Sequence, residues 1–394
     1  MMNYTEALRM VLSKARSFGT EMVSLEQAYG RVLTGVVKAD RDYPPFNRAT
    51  MDGYALREAD LSQGFRQFRI TETIWAGNSS VGELRPGECY KIMTGAPVPA
   101  SADVVIRRED TEERDAYIHV RVEKVRVFLN IARQGEDLRA GDIVVDTACI
   151  AEPSIVGLMA SLGQKELSVA RLPRIALLTT GNEVVPVEAF AGPAQIRNSN
   201  RWLLQAFLKK WQIDPWSCQH VPDDKALLRT ALEKALPADI IICCGGVSAG
   251  DADHIPGALD TVGVRCLFHK LAIKPGKPVW CGTGPGNTMV FALPGNPLSC
   301  LVGFILLIRP YLEACFGLPE AQPLSMSLGA AKKKHTPLDE FFPVRVHGAP
   351  ARLMPVSFNG SGDIRLGRQA NALALHQAAT SDLDEGTCIP YFPL

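Results

Sequence analysis

Between about residue 174 and residue 316, short apolar runs alternate with segments whose apolar residues recur at helical spacing. The runs that predict strands are RIALLTT, PWSCQHV, ADIIICC, VRCLFHKLAI and TMVFALPG. The segments that predict helices are NSNRWLLQAFLKKW, with Asn198 or Ser199 as its N-cap, DDKALLRTALEKAL, GDADHIPGALDTV and PLSCLVGFILLIRPYLEACFG. Such alternation with short connections predicts a doubly wound α/β domain with a largely parallel sheet.

The segments on either side have other patterns, and 394 residues are too many for one hydrophobic core. Residues 46–140 hold short β-like runs with many glycines and prolines, which predict a β-rich second domain. Residues 1–45 and 141–173 carry two helical patterns and predict an N-terminal helical and linker domain. Residues 323–394 read as short strands with turns, a small C-terminal β-barrel. With the α/β domain at residues 174–322, we expect an α/β multi-domain protein of four parts.

Composition narrows the class of function. Lys and Arg total 42, as do Asp and Glu, so the formal net charge is zero. This balance argues against a protein held to nucleic acid or to a membrane surface by bulk charge. The ten cysteines form no CxxC pair and no zinc-finger spacing, which favours reduced thiols in a cytoplasmic protein. The first twenty residues resemble an amphipathic helix and not a signal peptide, and the apolar run at residues 300–308 is too short to cross a bilayer.

Three predicted strands end in glycine-containing turns: TTGNE (179–183), CCGGVSAGDAD (243–253) and ALPGNP (292–297). Each turn alone is typical of an ordinary strand-to-helix connection. Ligands of open parallel sheets, however, bind beyond the carboxyl ends of the strands, where glycine permits close approach of the backbone. Three such turns on one edge therefore predict a site for an anionic or polar ligand.

Charged residues accompany these turns. Asp251 or Asp253 could hold a cation such as Mg²⁺, although Asp251 would serve equally as a helix cap. Lys274 and Lys277 flank a Pro-Gly turn in LAIKPGKPVWCG. Lysines in turns are usually only solvated. Two lysines in one turn that leaves the same sheet would, however, suit the binding of an oxyanion. In the β-rich segment, Asp52, Thr94 and Asp137 lie in turns or loops to which the residues alone assign no function.

The motifs together resemble one family, MoeA, the molybdopterin molybdenumtransferases, to which the E domain of gephyrin is related. The resemblance lies in PPFNRATMDGYA, TGAPVPASADVVIRRED, RQGEDLRAGD, TTGNEVV, IRNSN, CCGGVSAGDAD, LAIKPGKPVWCG and ALPGNPLS, which occur in family order across residues 44 to 300. It implies an elongated homodimer whose residues 174–322 bind molybdopterin. It also implies an active cleft between the α/β domain of one subunit and the β-rich domain of the other.

The resemblance further implies the activity, which is insertion of molybdate into adenylated molybdopterin with Mg²⁺-dependent release of AMP. The catalytic residues that it implies are Asp52, Asp137, Glu183, Asp223, Asp253, Lys274 and Lys277. Of these, Asp253 with Asp223 or Glu183 would hold Mg²⁺. The cofactor-binding positions are Thr94, Gly245, Gly246, Ser248, Pro294, Gly295 and Asn296.

Two other functions stay open at this point. An adenylyltransferase that prepares adenylated molybdopterin would need little beyond the α/β domain, whereas this chain also has the β-rich segment and the C-terminal strands. A non-catalytic molybdopterin-binding scaffold would be expected to lack the carboxylates and lysines. Candidate partners are a molybdopterin adenylyltransferase and molybdoenzyme maturation factors, with neither nucleic acid nor membrane expected.

Overall fold

The computed structural model describes residues 1–80, 82–247 and 254–394, and these divide into two compact units. The first unit consists of Met1–Thr34, Thr147–Val156 and Glu166–Leu394, and the second of Gly35–Asp146 and Gly157–Lys165. The finer division into four domains stays a prediction.

A six-stranded sheet forms the centre of the first unit. Its strands lie in the order Ser217–Val221, Ile175–Thr180, Ile240–Cys244, Met289–Leu293, Trp280–Thr283 and Arg265–His269. The first four are mutually parallel, and each of the last two is antiparallel to the strand before it. The strand Arg265–His269 therefore runs in the same direction as the four parallel strands, so its carboxyl end lies at the same edge as theirs.

Helices cover both faces of this sheet, as the sequence predicts. Ser199–Lys209 and Pro297–Cys315 pack on one face, and Lys225–Ala235 and Ile255–Thr261 on the other. Alternate residues of the central strand enter the two cores: Ile240, Ile242 and Cys244 enter one, and Ile241 and Cys243 the other. Burial on both faces explains why this strand is apolar throughout.

The helix Pro297–Cys315 has three segments, Pro297–Gly303, a π-helical Phe304–Ile308 and Arg309–Cys315. The helix has 19 residues, and its most apolar 18-residue window has a mean hydropathy of 1.6, which by length and composition alone would suffice to span a membrane. Of its most apolar window, 72% is buried inside the protein, so its apolar side chains are accounted for by the core.

The N-terminal region corrects one expectation. Besides the helices Tyr4–Leu12, Leu25–Gln27 and Pro153–Ser161, it contains a four-stranded sheet in the order Thr20–Ser24, Glu166–Ala170, Val32–Leu33 and Cys149–Ile150. The pattern of helices and linkers did not reveal this sheet. Its strands are short, and the antiparallel pair Thr20–Ser24 and Glu166–Ala170 joins residues more than a hundred positions apart, which local patterns do not report.

The C-terminal strands form a mixed sheet in the order Ile273–Lys274, Asp339–His347, Ala372–His376, Cys388–Pro393 and Leu324–Ser327, with Arg352–Pro355 paired to Asp339–His347. A bridge between Leu328 and Leu353 links the last strand of this order back to Arg352–Pro355, where the Gly329 N–H donates to the Leu353 carbonyl at 2.8 Å. A short helix, Leu366–Gln369, follows the loop after Pro355.

The second unit is rich in strands. Its six-stranded sheet has the order Val104–Arg107, Gly53–Leu56, Glu88–Ile92, Gln67–Ile74, Tyr117–Val120 and Thr111–Arg114. Two small antiparallel pairs accompany it, Ile131–Ala132 with Arg48–Ala49 and Ile143–Val145 with Val37–Lys38. Among the described residues of the range 46–140, the helical segments are Glu58–Ser62 and Arg108–Asp110.

Candidate functional site

The predicted turns meet at one edge of the α/β sheet. Glu183, Asp223, the Gly245-Gly246 turn and the Pro294–Asn296 turn each follow the carboxyl end of one of the four parallel strands. Lys274 and Lys277 lie in the connection that leaves Arg265–His269 at the same edge. At this connection, His269 Nε2 lies 3.2 Å from the Val247 carbonyl oxygen. The structure thus brings the predicted α/β-domain residues that it describes to a common edge.

The Gly245-Gly246 turn depends on glycine. Both residues have positive φ, 101° and 59°, and a Cβ on Gly245 would lie 2.8 Å from the carbonyl oxygen of Thr180. The Thr180 hydroxyl is buried at this turn and has no hydrogen-bond partner among the residues that the structure describes. Directly after the turn, the predicted Ser248, Asp251 and Asp253 lie outside the described residues.

The Pro294–Asn296 turn approaches the Gly245-Gly246 turn closely, since a Cβ on Gly295 would lie 3.6 Å from the Gly245 Cα. Asn200 Nδ2 donates to the Gly295 carbonyl at 2.6 Å and fixes its direction. Pro294 is buried, whereas Gly295 and Asn296 are exposed. The turn therefore offers a fixed, solvent-accessible stretch of backbone immediately before a helix N-terminus.

Glu183 and Asp223 belong to two turns that hydrogen bonds lock together. The Asn182 N–H donates to the Asp223 carboxylate at 3.1 Å, and the Asp223 N–H donates to the Asn182 side-chain oxygen, also at 3.1 Å. The Glu183 carboxylate folds back over Gly181, where a Cβ would lie 2.8 Å from each of its oxygens. Neither carboxylate forms an ion pair with any residue that the structure describes, so both retain oxygens for a ligand.

Lys274 and Lys277 are both exposed in a tight loop. The Leu271 N–H donates to the Lys277 carbonyl at 2.8 Å, and the Val279 N–H donates to the Gly276 carbonyl at 3.1 Å. Within the described ranges, neither ammonium group has a carboxylate partner. The loop thus presents two cations at the same edge as the carboxylates, which suits a ligand with anionic groups.

In the second unit, Asp52 and Thr94 are in direct contact. One Asp52 carboxylate oxygen accepts hydrogen bonds from the Thr94 hydroxyl at 2.6 Å and from the Thr94 N–H at 2.7 Å. These bonds, chiefly the one from the hydroxyl, hold the pKa of Asp52 below its usual value. Asp137 is exposed in a neighbouring loop, where its N–H donates to the Tyr43 carbonyl at 2.9 Å.

The donor set of the edge fits a hard divalent cation. Glu183 and Asp223 supply carboxylate oxygens, and Mg²⁺ is commonly bound by one or two carboxylates together with water and substrate phosphates. Among the described residues, no cluster of three or more His, Cys, Asp or Glu side chains could hold a metal by itself. A cation held by Glu183 and Asp223 would therefore have to complete its coordination with other oxygens, such as those of water or of substrate phosphates.

The volume of a cavity does not identify the candidate site. Among the residues described, a cavity of about 660 Å³ is lined by the first helix, the end of Pro297–Cys315 and the last strand, and it contains no predicted site residue. A smaller cavity of about 160 Å³ lies between Asn200 and Leu298 at the candidate edge. We assign the site by its convergent polar groups, because an open phosphate-binding edge need not enclose much volume.

Sequence reasoning missed the polar residues that support this edge. Thr179 and His220 lie within strands and hydrogen-bond each other beneath the turns. Asn198, considered only as a helix cap, also donates to Thr179 at 2.7 Å. The sequence signal that could have found these residues is a polar side chain within a segment predicted to be a strand.

Two family models match the chain. The MoeA N-terminal region (domain I and II) matches residues 2–163, and a model described as a probable molybdopterin binding domain matches residues 176–314. The fold and the site therefore define a protein with a molybdopterin-binding type of α/β domain.

Similar proteins of known name and a similar solved structure show the family to which the chain belongs. The molybdopterin molybdenumtransferase of Bacillus subtilis is 30% identical over 398 residues, covering 98% of this chain and 92% of the relative. That of a Synechocystis species is 29% identical and covers both chains fully. The crystal structure of a molybdopterin biosynthesis moeA protein from Pyrococcus horikoshii superposes with a TM-score of 0.86 at 27% identity over both whole chains. The chain belongs to the MoeA family.

Proposed function

We propose that this protein is a molybdopterin molybdenumtransferase, which inserts molybdate into adenylated molybdopterin and releases AMP during molybdenum cofactor biosynthesis. The observation that carries the proposal is the convergence of carboxylates, lysines and glycine turns on one sheet edge. The names of the family relatives agree with it.

Lys274 and Lys277 are assigned to the anionic partners of the reaction. Molybdate and the phosphates of the adenylate are both negatively charged, and charge builds up on the departing phosphate as AMP leaves. Two exposed ammonium groups without carboxylate partners among the described residues are free to bind these anions. Such preorganised cations stabilise a transition state in which charge develops.

Glu183 and Asp223 are assigned to Mg²⁺, together with Asp253, whose place rests on the sequence alone. When bound, Mg²⁺ would polarise the phosphoryl oxygens of the adenylate. The task of the protein is to keep these carboxylates free of ion pairs at the sheet edge that also carries the lysine loop. The reciprocal bonds between Asn182 and Asp223 support this role.

The remaining predicted residues are assigned to binding. The turns with Gly245, Gly246 and Ser248 and with Pro294, Gly295 and Asn296 would receive the molybdopterin portion through their backbone groups. In the β-rich unit, Asp52 and Asp137 would contribute carboxylates to catalysis, and Thr94 would keep Asp52 ionised and contact the substrate.

The compartment, the oligomeric state and the partner are inferred from the family resemblance. We infer a cytoplasmic homodimer whose C-terminal strands form a small β-barrel and which receives its substrate from a molybdopterin adenylyltransferase. Ten cysteines present as free thiols support a reducing compartment. Light scattering on the purified protein tests the dimer.

The decisive experiment mixes the protein with adenylated molybdopterin, molybdate and Mg²⁺ and follows AMP release. Lys274→Ala and Lys277→Ala should each lower the rate by about a hundredfold or more, the size of effect seen when one transition-state donor is removed. Lys234→Ala, on the exposed side of a helix, is the matched control and should leave the rate unchanged. Unchanged rates in both loop variants, or ATP-dependent adenylation of molybdopterin without molybdate-triggered AMP release, would contradict the proposal.

A further inference from the structure

Four hydrogen bonds connect a helix cap to the turn that carries Glu183. Asn198 Oδ1 accepts from the Arg201 N–H at 3.2 Å, and Asn198 Nδ2 donates to Thr179 Oγ1 at 2.7 Å. Thr179 Oγ1 lies 3.1 Å from His220 Nδ1. On the other side of the ring, His220 Nε2 lies 3.1 Å from the Gly181 carbonyl oxygen.

The direction of each bond in this relay is determined by its neighbours. Because Asn198 Oδ1 accepts from a backbone N–H, its Nδ2 must be the group that faces Thr179 and donates. Thr179 Oγ1 then has its own proton available for His220 Nδ1. The Gly181 carbonyl can only accept, so His220 Nε2 must carry a proton. A neutral imidazole protonated at Nε2 satisfies every bond in the relay.

The relay ends at the turn that places the candidate metal ligands. Gly181 has a φ of 130°, and the Glu183 carboxylate folds over it. The next residue, Asn182, exchanges two hydrogen bonds with Asp223. A shift of the Gly181 peptide would therefore move both carboxylates. The Gly181 carbonyl also accepts from the Val184 N–H at 3.2 Å, and His220 supplies the side-chain bond to it.

We propose that His220, as a neutral imidazole protonated at Nε2, is a positioning residue that fixes Glu183 and Asp223 for a divalent cation. This inference rests on the proposed function for the identity of the cation. The positioning itself rests on the hydrogen bonds alone. His220 does not touch the reacting atoms, and its effect passes through the Gly181 carbonyl.

The first test concerns the tautomer. In protein labelled with ¹⁵N-histidine, the ring shifts of His220, one of seven histidines, should report a proton on Nε2 and none on Nδ1 at pH 7.5. Thr179→Val removes the donor to Nδ1 and should reduce this preference, whereas Thr179→Ser should preserve it. A dominant Nδ1 proton or a charged ring in the unaltered protein would overturn the inference.

The second test replaces His220 with side chains whose amide groups extend to different distances from the backbone. His220→Gln can present an amide N–H near the position of Nε2, His220→Asn reaches only as far as Nδ1, and His220→Leu makes neither bond. Amide hydrogen exchange at Asn182 and Asp223 should be about two- to tenfold faster in the Leu and Asn variants, the range that one hydrogen bond is worth. The Gln variant should remain close to the unaltered protein. Equal exchange in all four proteins would overturn the inference.

A third measurement separates this inference from the proposed function. Mn²⁺ binding, followed by electron paramagnetic resonance, should weaken about two- to tenfold in His220→Leu and recover in His220→Gln. Glu183→Gln is the reference for a lost ligand. If Glu183→Gln weakens Mn²⁺ binding but His220→Leu does not, the positioning role is wrong while the metal assignment stands. If Glu183→Gln has no effect, the metal assignment fails and so does the cation part of the inference.

Discussion

Asp223 and Asp224 are neighbours in the chain, yet their carboxylates bind to different parts of the structure. Asp223 accepts from the Asn182 N–H at 3.1 Å, across the sheet edge, whereas Asp224 accepts from the N–H groups of Ala226 at 2.9 Å and Leu227 at 2.8 Å. Asp224 is thus the N-cap of the helix Lys225–Ala235, and Asp223 faces the candidate site.

We therefore expect Asp223 to affect mainly the activity and Asp224 mainly the stability. Asp224→Ala should lower the free energy of unfolding by about 1 kcal/mol, a common value for a lost N-cap, and leave AMP release unchanged. Asp223→Asn should reduce AMP release strongly at saturating substrate, with a smaller change in stability. Urea unfolding and the AMP assay on the two variants measure both effects. Asp224→Asn should retain the cap, and loss of activity in Asp224→Ala would argue against this division of roles.

Gly181 should tolerate no side chain. Alanine there would have to adopt a φ of 130° and would lie 2.8 Å from both Glu183 carboxylate oxygens. We expect Gly181→Ala to cost about 1–3 kcal/mol in backbone strain and to displace Glu183, with loss of AMP release. Thermal unfolding and the AMP assay measure the two consequences.

Gly257→Ala is the matched control for this substitution. Gly257 lies in the helix Ile255–Thr261, has no unusual φ, and a Cβ there would meet no atom of the described residues within 4 Å. Alanine is favoured over glycine within helices, so this variant should be about 0.5–1 kcal/mol more stable and fully active. Equal stability and activity in the two variants would show that Gly181 is not constrained.

Thr94 should set the acid limit of activity. Its hydroxyl and N–H lower the pKa of Asp52, so the carboxylate stays ionised to a lower pH than an isolated aspartate. Thr94→Val keeps the backbone bond but removes the hydroxyl, and the pKa of Asp52 should rise. The acid limb of AMP release should then move to higher pH, while Thr94→Ser should behave like the unaltered protein. ¹³C titration of the aspartate carboxyl groups checks the shift directly, and an unchanged profile would remove Thr94 from this role.

His376 should make the protein less stable in mild acid. Its ring is fully buried, with Nε2 2.6 Å from the Ser381 carbonyl oxygen, and within the described part of the chain Nδ1 has no partner. Burial is the largest cause and lowers the pKa of His376, as do the charges of Lys334 and Lys332, while the hydrogen bond to Ser381 and the charge of Glu340 raise it less. The folded protein therefore binds this proton less tightly than the unfolded chain, and stability is lost as the pH falls below the ordinary histidine value of 6.5.

Urea unfolding at pH values from 7.5 to 5.5 tests this expectation. The free energy of unfolding should fall toward the acid end, and His376→Gln, which keeps a donor for Ser381, should flatten the dependence. A variant with the same slope as the unaltered protein would show that another group is responsible.

Much of the α/β domain was predictable from sequence because its signals are local. The apolar run ending at Cys244, the capped helix after Asn198 and the glycine turn at Gly245 each identify themselves within a few residues. Because parallel strands align their carboxyl ends, the same local signals also predict that the three distant turns lie at one edge.

The sheet Thr20–Ser24 with Glu166–Ala170 was not predictable in this way. Its formation depends on pairing between distant segments, and a short half-exposed strand has little pattern of its own. The same holds for His220, whose place in a strand pattern gives no indication of the carbonyl that its ring will meet.

The sequence by itself determined which segments become strands, helices and tight turns, since side-chain sterics and hydrophobic period act over a few residues. Tertiary structure alone decided which polar groups meet. Asn182 reaches Asp223, Thr94 reaches Asp52 and His220 reaches Gly181 because strand order and register fix those distances to within a hydrogen bond. Such long-range geometry is a property of the assembled sheets, and no local pattern encodes it.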